Sequence, residues 1–466
     1  MRRIYLIVIN LILILTSCDF GDTNLDPSKL SDAPVDQLLP VAEAQTARNM
    51  GSIGARISGV VVQHFTGLSA QPLLYNSYNI DGTALDDYWA TGLYAGAMKD
   101  CRIIIEKGEE MNIPHYTGIA KILLAVNLGI ATTFWGEVPY SEAFQGQDVI
   151  QPSYDSQESI YEAIQTLLDE GISDLGEDAG ALVPGKDDLY YNGINVRWIG
   201  TARALKARYH MHLVNVDPEA SAKALAALAL GTISSNEQQA EFPFGPTLNE
   251  ANPIAYYGEE RRNQLGINPF LLNMLDTKND PRRSRYTAQL LGNNVLYIAD
   301  NNNLYWGRFE SPMPLISYSE LMFIRAEANL RLGFLPTAQN NLSAAIRANM
   351  EQIGITEPDI TTYLASHSDI TSLTTEELQL QRIMEEKYVA MFGQGTLEAW
   401  VDYRRTGYPV LTPAPDAVES FDPSGVIPRR YLYPISERSS NGVNVDAAID
   451  RQGGHLLDQS LWAFPN

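Results

Sequence analysis

Residues 316–350 read ISYSELMFIRAEANLRLGFLPTAQNNLSAAIRANM, and their periodicity decides the fold. Leu321, Ile324, Ala328 and Leu332 fall three or four apart and form one apolar stripe; Met322, Ala326 and Leu330 form a second. Arg325, Glu327 and Arg331 leave only a narrow polar strip, so this helix is expected to pack against neighbours on two sides. Gly333 supplies a C-terminal stop, and Pro336 suits the first turn of a following helix whose Ala338, Leu342, Ala345 and Ile346 share a face. A hairpin of this length matches the tetratricopeptide unit of about 34 residues, which buries its faces only by stacking on similar units. The expected fold is mainly α, a tetratricopeptide-like helical array.

The helical period recurs on both sides of that stretch, at 34–50, 52–65, 85–111, 116–134, 156–175, 196–214, 218–230, 376–392 and 397–405. Four hairpins follow from neighbouring patterns: 85–111 with 116–134, 156–175 with 196–214, 316–332 with 336–353, and 376–392 with 397–405. Long irregular insertions interrupt them. The largest, 234–315, is too long for a structureless loop, and a small β-hairpin is expected in it, with strands 295–299 and 304–309 around Asp300-Asn301-Asn302-Asn303. From Thr406 the chain is rich in Pro, Gly and Tyr and is expected to wrap over the array.

Met1, Arg2 and Arg3 precede an apolar run, 4–15, broken only by Tyr5 and Asn10. That run is too short to span a bilayer and has the layout of a secretory signal. It ends in Leu15-Thr16-Ser17-Cys18, a bacterial lipobox, in which the Cys18 thiol becomes a thioether to diacylglycerol. Acyl chains anchor through about 0.8 kcal/mol per buried CH₂. The expected organisation is a signal peptide at 1–17, a lipid-anchored tether at 18–33, and a single ligand-binding unit at 34–466. Cys101 is the other cysteine; with Cys18 lipidated it has no disulfide partner and is expected to be a small core residue. No later apolar run is expected to be long enough to cross a membrane. The net charge of −23 argues against nucleic acid or anionic lipid as a partner.

Catalytic and metal signatures are weak. Residues 180–187, GALVPGKD, approach a phosphate-binding loop, but Asp187 stands where Ser or Thr would hold Mg²⁺, and Asp187-Asp188 would repel phosphate. His210 and His212 lie two apart on a helix and point to different sides, so they do not share a metal. The acidic pairs Glu109-Glu110, Glu259-Glu260 and Glu385-Glu386 read as solvated charges rather than as the facing carboxylates of a glycosidase.

Tyrosine is common, at 24 residues, and much of it falls in irregular segments beside Asn, Asp and Arg. Tyr75, Tyr78, Asn79 and Asp81 form one cluster, Tyr256, Tyr257 and Arg261 a second, and Tyr305 and Trp306 a third. Ring faces beside polar side chains suit sugars, whose C–H faces stack while their hydroxyls take hydrogen bonds. The three clusters are expected to converge on one binding patch, with Trp306 as its largest ring. The plainer alternative is aromatics that pin loops to the core.

With the lipobox, the array and these insertions in hand, the chain resembles the SusD/RagB family of nutrient-binding outer-membrane lipoproteins, and within it the SusD-like 2 branch. The resemblance rests on the lipobox, TTFWGEVPYSEAF at 132–144, ISYSELMFIRAEANLRLG at 316–333, EEKYVAMFGQGTLEAWVDYRRTGYP at 385–409 and IPRRYLYPISERSSN at 427–441. It implies a right-handed tetratricopeptide-like superhelix with an irregular, ligand-facing half. It implies an oligosaccharide ligand (a peptide in some members), a TonB-dependent SusC-type transporter as partner, and a location at the cell surface on the outer membrane. Neither catalysis nor a cofactor is implied, and no Asp-rich loop commits the chain to calcium. A helical-repeat protein scaffold and a glycoside hydrolase are the alternatives from other classes.

Overall fold

A computed structural model describes residues 33–297 and 303–465, so the lipobox and nearly all of the tether lie outside the described residues. The first helices are α1 (Val35–Gly51) and α2 (Ile53–Val61), followed by strand β1 (Phe65–Gly67) and the short α3 (Ala70–Tyr75). The single helical pattern expected over 85–111 divides into a π-helix (Tyr88–Met98) and α4 (Lys99–Met111). A kink falls at Gly96, near the end of the π-helix, where a Cβ would lie 2.2 Å from the Thr91 carbonyl oxygen, so the backbone requires glycine there.

Next come α5 (Pro114–Trp135), α6 (Gln157–Gly176), α7 (Asn195–His212) and α8 (Ala220–Ala229). Each of α4 to α8 packs against the next. Every residue of α5 from His115 to Trp135 is buried. This helix is long and apolar enough to cross a membrane, contrary to the sequence expectation, but its length is spent inside the array. Cys101 is a free, fully buried core residue, as expected.

The insertion is built of β2 (Glu241–Phe242), α9 (Pro253–Glu260), β3 (Leu265–Ile267), α10 (Pro269–Thr277), α11 (Arg283–Tyr286), β4 (Ala288–Leu290), β5 (Asn293–Val295) and β6 (Met313–Pro314). Two Asn-Pro pairs start its helices: Asn252 and Asn268 each accept a backbone N–H through Oδ1 at 2.9 Å, from Ile254 and Phe270, with proline in the first turn. The β-hairpin lies upstream of its expected place. Val295 pairs backward with Ala288, not forward with 304–309, which forms turns. Leu291 and Gly292, both at positive φ, make the two-residue connection that fits the strand twist. The expected turn at 300–302 lies outside the described residues.

The organising stretch becomes α12 (Tyr318–Arg331) and α13 (Leu335–Gln352), followed by α14 (Glu357–His367), α15 (Glu376–Ala390), α16 (Thr396–Thr406), α17 (Ile435–Ser440) and α18 (Gly442–Arg451). As its two stripes require, α12 packs on α7 and α8 as well as on α13 and α15. Its expected polar strip is not a solvent-facing one. Glu327 is fully buried and accepts from Arg405 Nη2 at 2.5 Å and Arg331 Nε at 2.8 Å, whereas Leu332 at the helix end is exposed. Glu386, expected to be solvated, is likewise fully buried: it accepts from Lys278 at 2.9 Å, Arg282 at 2.8 Å and the Tyr363 hydroxyl at 2.9 Å. Buried carboxylates of this kind persist only when paired.

The C-terminal segment does lie over the array. Trp400 Nε1 donates to the Pro428 carbonyl at 2.7 Å, Trp135 Nε1 to that of Leu432 at 2.9 Å, and Tyr431 N–H to that of Phe134 at 2.9 Å. Gly407, at φ 77°, ends α16 in the left-handed conformation. Arg404 lies 3.8 Å above the Trp400 ring and donates to the Thr133 and Arg429 carbonyls, tying the strap down.

Candidate ligand-binding face

Two of the three aromatic clusters are brought together by a backbone ladder. β1 pairs antiparallel with β3, Phe65 opposite Ile267 and Gly67 opposite Leu265, so α3 comes to lie beside the end of α9. Leu68 N–H donates to the Gln264 carbonyl at 2.8 Å, and Ser69 Oγ to that of Asn263 at 3.2 Å. The β4–β5 hairpin joins them, with Asn293 Nδ2 donating to Asn263 Oδ1 at 3.0 Å. Gly67 is needed for this approach, because a Cβ there would lie 2.0 Å from the Pro72 carbonyl oxygen.

The Arg56 guanidinium sits 4.1 Å above the Tyr257 ring, whose hydroxyl donates to Gln264 Oε1 at 3.0 Å. Tyr75 is buried against this pair, and its hydroxyl has no hydrogen-bond partner among the described residues. Burial pushes that hydroxyl up to about 12, and the Arg56 charge acts in the opposite direction. A narrow pocket next to them is lined by Tyr257, Arg261, Asn263 and Tyr297. The Tyr297 hydroxyl donates to Glu259 at 2.7 Å, and its ring stacks on Phe309 at 5.7 Å. Tyr256 is 44% exposed, and the rim carries exposed Leu73 and Leu74 from α3 and Leu291 from the hairpin tip. Arg261 is exposed, and its guanidinium donates to the Glu260 carbonyl at 3.4 Å.

Other expected contact residues are placed differently. Tyr78 is 3% exposed, and its hydroxyl accepts the Ala414 N–H at 3.0 Å, so it fastens the C-terminal segment. Asn79 is half-buried, and Asp81 is exposed with its carboxylate accepting from Thr83 N–H at 2.9 Å. The third cluster does not join the face. Trp306 is 1% exposed and packs so closely on Gly393 that a Cβ there would meet its ring at 2.4 Å. Half-buried Tyr305 meets Trp306 edge-on at 4.7 Å and lies under Arg308 at 4.8 Å. An enclosed ring offers no face to a sugar, so the expectation for Trp306 is corrected: the ring belongs to the core. Tyr297 was missed. Its signal was visible as an aromatic in the strand expected at 295–299, but the displaced hairpin hid its neighbours.

The profile of the SusD-like 2 family, described as starch-binding and associating with the outer membrane, matches residues 27–434. The chain belongs to this family. Members of the SusD-like family are binding proteins rather than enzymes. Solved structures of similar fold include a chitin-binding protein, 24% identical with a TM-score of 0.78, covering 93% of this chain and 100% of that one. A SusD homologue from Bacteroides uniformis is 25% identical with a TM-score of 0.76, covering 92% and 99%. A chitin-binding SusD homologue from Flavobacterium johnsoniae is 22% identical with a TM-score of 0.76, again covering 92% and 99%. No curated protein matches. The SusD-like architecture accounts for the mainly helical, tetratricopeptide-like array.

Proposed function

We infer that this chain is a lipid-anchored receptor at the cell surface that captures oligosaccharide and delivers it to a TonB-dependent SusC-type transporter in the outer membrane. The observation that carries this reading is the β1–β3 ladder, which sets Tyr256 and Tyr257 beside α3 with Arg56 and Arg261 at hand. Ring faces at the edge of a polar pocket take the C–H face of a sugar, and the guanidinium and amide groups take its hydroxyls. Two neighbours of similar fold described as chitin-binding support a glycan ligand, and the Cys18 lipobox supports anchoring. Contacts are assigned to Tyr256, Tyr257, Arg261 and Tyr297, with Asn79 and Asp81 at the margin. Exposed Leu73, Leu74 and Leu291 favour a peptide receptor of the same architecture as the second reading.

A panel of chitin and starch oligosaccharides and short peptides, titrated calorimetrically, tests this. The expected result is micromolar to millimolar binding of a glycan without turnover, weakened by Tyr256→Ala by about 1–2 kcal/mol with unfolding unchanged. Binding only of peptides moves the reading to the peptide receptor. Full affinity in folded Tyr256→Ala and Tyr257→Ala variants removes the face.

A further inference from the structure

A cleft of about 510 Å³ lies between the π-helix, the 139–152 segment and α17, and shares no lining residue with the narrow pocket described above. Its size suits a small organic ligand. Half-buried Tyr94 of the π-helix forms one wall, backed at 4.7 Å by Trp89, which is 3% exposed and is itself stacked on Tyr154. Phe144 stacks on Tyr94 at 5.9 Å with the ring planes 20° apart. The backbone is unusual on both sides of this group. Wider π-helical turns, whose hydrogen bonds run from i to i+5, bring residues 89 and 94 toward one side, where an α-helix would set them apart. Phe144 is held at φ 68°, a left-handed conformation that bulky residues rarely adopt and that recurs at ligand sites.

The facing wall is polar and carries a carboxylate. Tyr154 Oη and Asn441 Nδ2 both donate to Oε1 of Glu437, at 3.0 and 3.1 Å, and no described residue donates to Oε2. Burial, and next to it Glu437, Tyr433 and Asp155, push the Tyr94 hydroxyl well above its usual range, so the groups around it bring no positive charge. Glu142 and Asp148 add acidic groups on the 139–152 segment. Of the cations nearby, Arg451 is engaged by Glu137 at 2.5 Å, and Arg438 is exposed on α17. Ring faces attract a cation through their quadrupole, and a carboxylate adds an opposite charge; a neutral polar ligand can stack and hydrogen-bond here but gains neither charge term. We propose that this cleft binds the ammonium group of a small organic cation, held against the half-buried Tyr94–Phe144 ring stack and the Glu437 carboxylate.

The site does not rest on the glycan reading, and its test is separate from that one. The purified protein is titrated calorimetrically at pH 6.5 with glucosamine, with choline and with glucose. Glucose has the glucosamine skeleton without the amine. The expected result is millimolar binding of at least one of the two cations, about tenfold or more tighter than glucose. Glu437→Gln, whose amide oxygen still accepts from Tyr154 and Asn441, removes that preference at an unchanged melting temperature. Phe144→Ala weakens cation binding, and Tyr256→Ala on the other face leaves it unaltered. Failure of both cations to bind, equal binding of glucosamine and glucose, or an undiminished preference in folded Glu437→Gln overturns the proposal.

Discussion

Replacing Glu386 with Gln tests how the buried charges hold the array together. Glu386 is fully buried and is shared by Lys278, Arg282 and Tyr363, while Arg282 is also held by Asp280 through Nη2 to Oδ2 at 2.6 Å. Burial alone would raise its carboxyl. The charges of Lys278 and Arg282, with the hydrogen bonds they donate, outweigh burial and hold it at about 2 instead of the usual 4.5. At about 1.36 kcal/mol per unit, that difference is roughly 3 kcal/mol of stability at neutral pH. The lower part of the range for breaking a buried ion pair, about 3–5 kcal/mol, gives the same figure, as expected when Arg282 keeps Asp280. The group's folded pKa lies below its unfolded one. Its contribution is therefore present above about pH 4.5 and lost as pH falls through 4.5 toward 2. Glu327, also held at about 2, adds acid sensitivity to both proteins alike and cancels in the comparison. Urea unfolding at pH 7, 5 and 3 should show Glu386→Gln weaker by about 3 kcal/mol at neutral pH, with the gap closing in acid. A gap under about 1 kcal/mol at pH 7, or one that stays constant with pH, refutes the reasoning.

Three further outcomes are expected. Trp306→Ala should destabilise the fold by about 3–5 kcal/mol, because the ring is enclosed; Trp306→Phe should cost far less, since its indole N–H has no hydrogen-bond partner among the described residues, and thermal unfolding compares them. Glu43 is fully buried, and burial, with Asp188 next, raises its carboxyl well above the usual range. Its contribution is thus lost as pH rises. Glu43→Gln should melt higher than wild type near pH 8 and converge with it toward pH 4, and the opposite order would show the carboxyl ionised in the fold. Cys18→Ala should move the protein out of the membrane fraction and abolish lipid labelling; retention with label intact would remove the anchor.

Periodicity carried most of the fold, because burial on a helix leaves a 3.6-residue trace. The two stripes of α12 pointed to neighbours on two sides, and it packs on α7 and α8 as well as on α13 and α15. What periodicity could not carry was the fate of charge. Glu327 and Glu386 look like surface residues in the sequence, since cations that hold them lie in other segments: Arg405 for the first, beside Arg331 of its own helix, and Lys278 and Arg282 for the second. The site was legible in composition but not in geometry. Tyr and Trp beside Asn and Arg mark both a sugar platform and a loop pinned to a core. Only tertiary packing separates Tyr256, which is exposed, from Tyr78, covered by the C-terminal segment at Ala414, and Trp306, packed on Gly393. The small helices α9 and α10 were hidden for another reason: their starts are Asn-Pro pairs, which read locally as turns.

The strap has a consequence for how the chain reaches its native state. An open solenoid folds repeat by repeat, each unit needing only its neighbours. Here α16 rests on α2, Ser58 Oγ is 3.0 Å from the Tyr431 hydroxyl, and the Tyr388 hydroxyl donates to the Val62 carbonyl at 2.9 Å. These contacts join the two ends of the sequence, so the first helices stay partly uncovered until the last segment has been made. Closure turns a one-dimensional stack into a ring-like unit whose folding is slow and cooperative, as long-range contacts demand. A chain cut before residue 427 would keep most of its helices yet leave Phe134, Trp135 and Trp400 without their cover, and so should aggregate where the full chain folds.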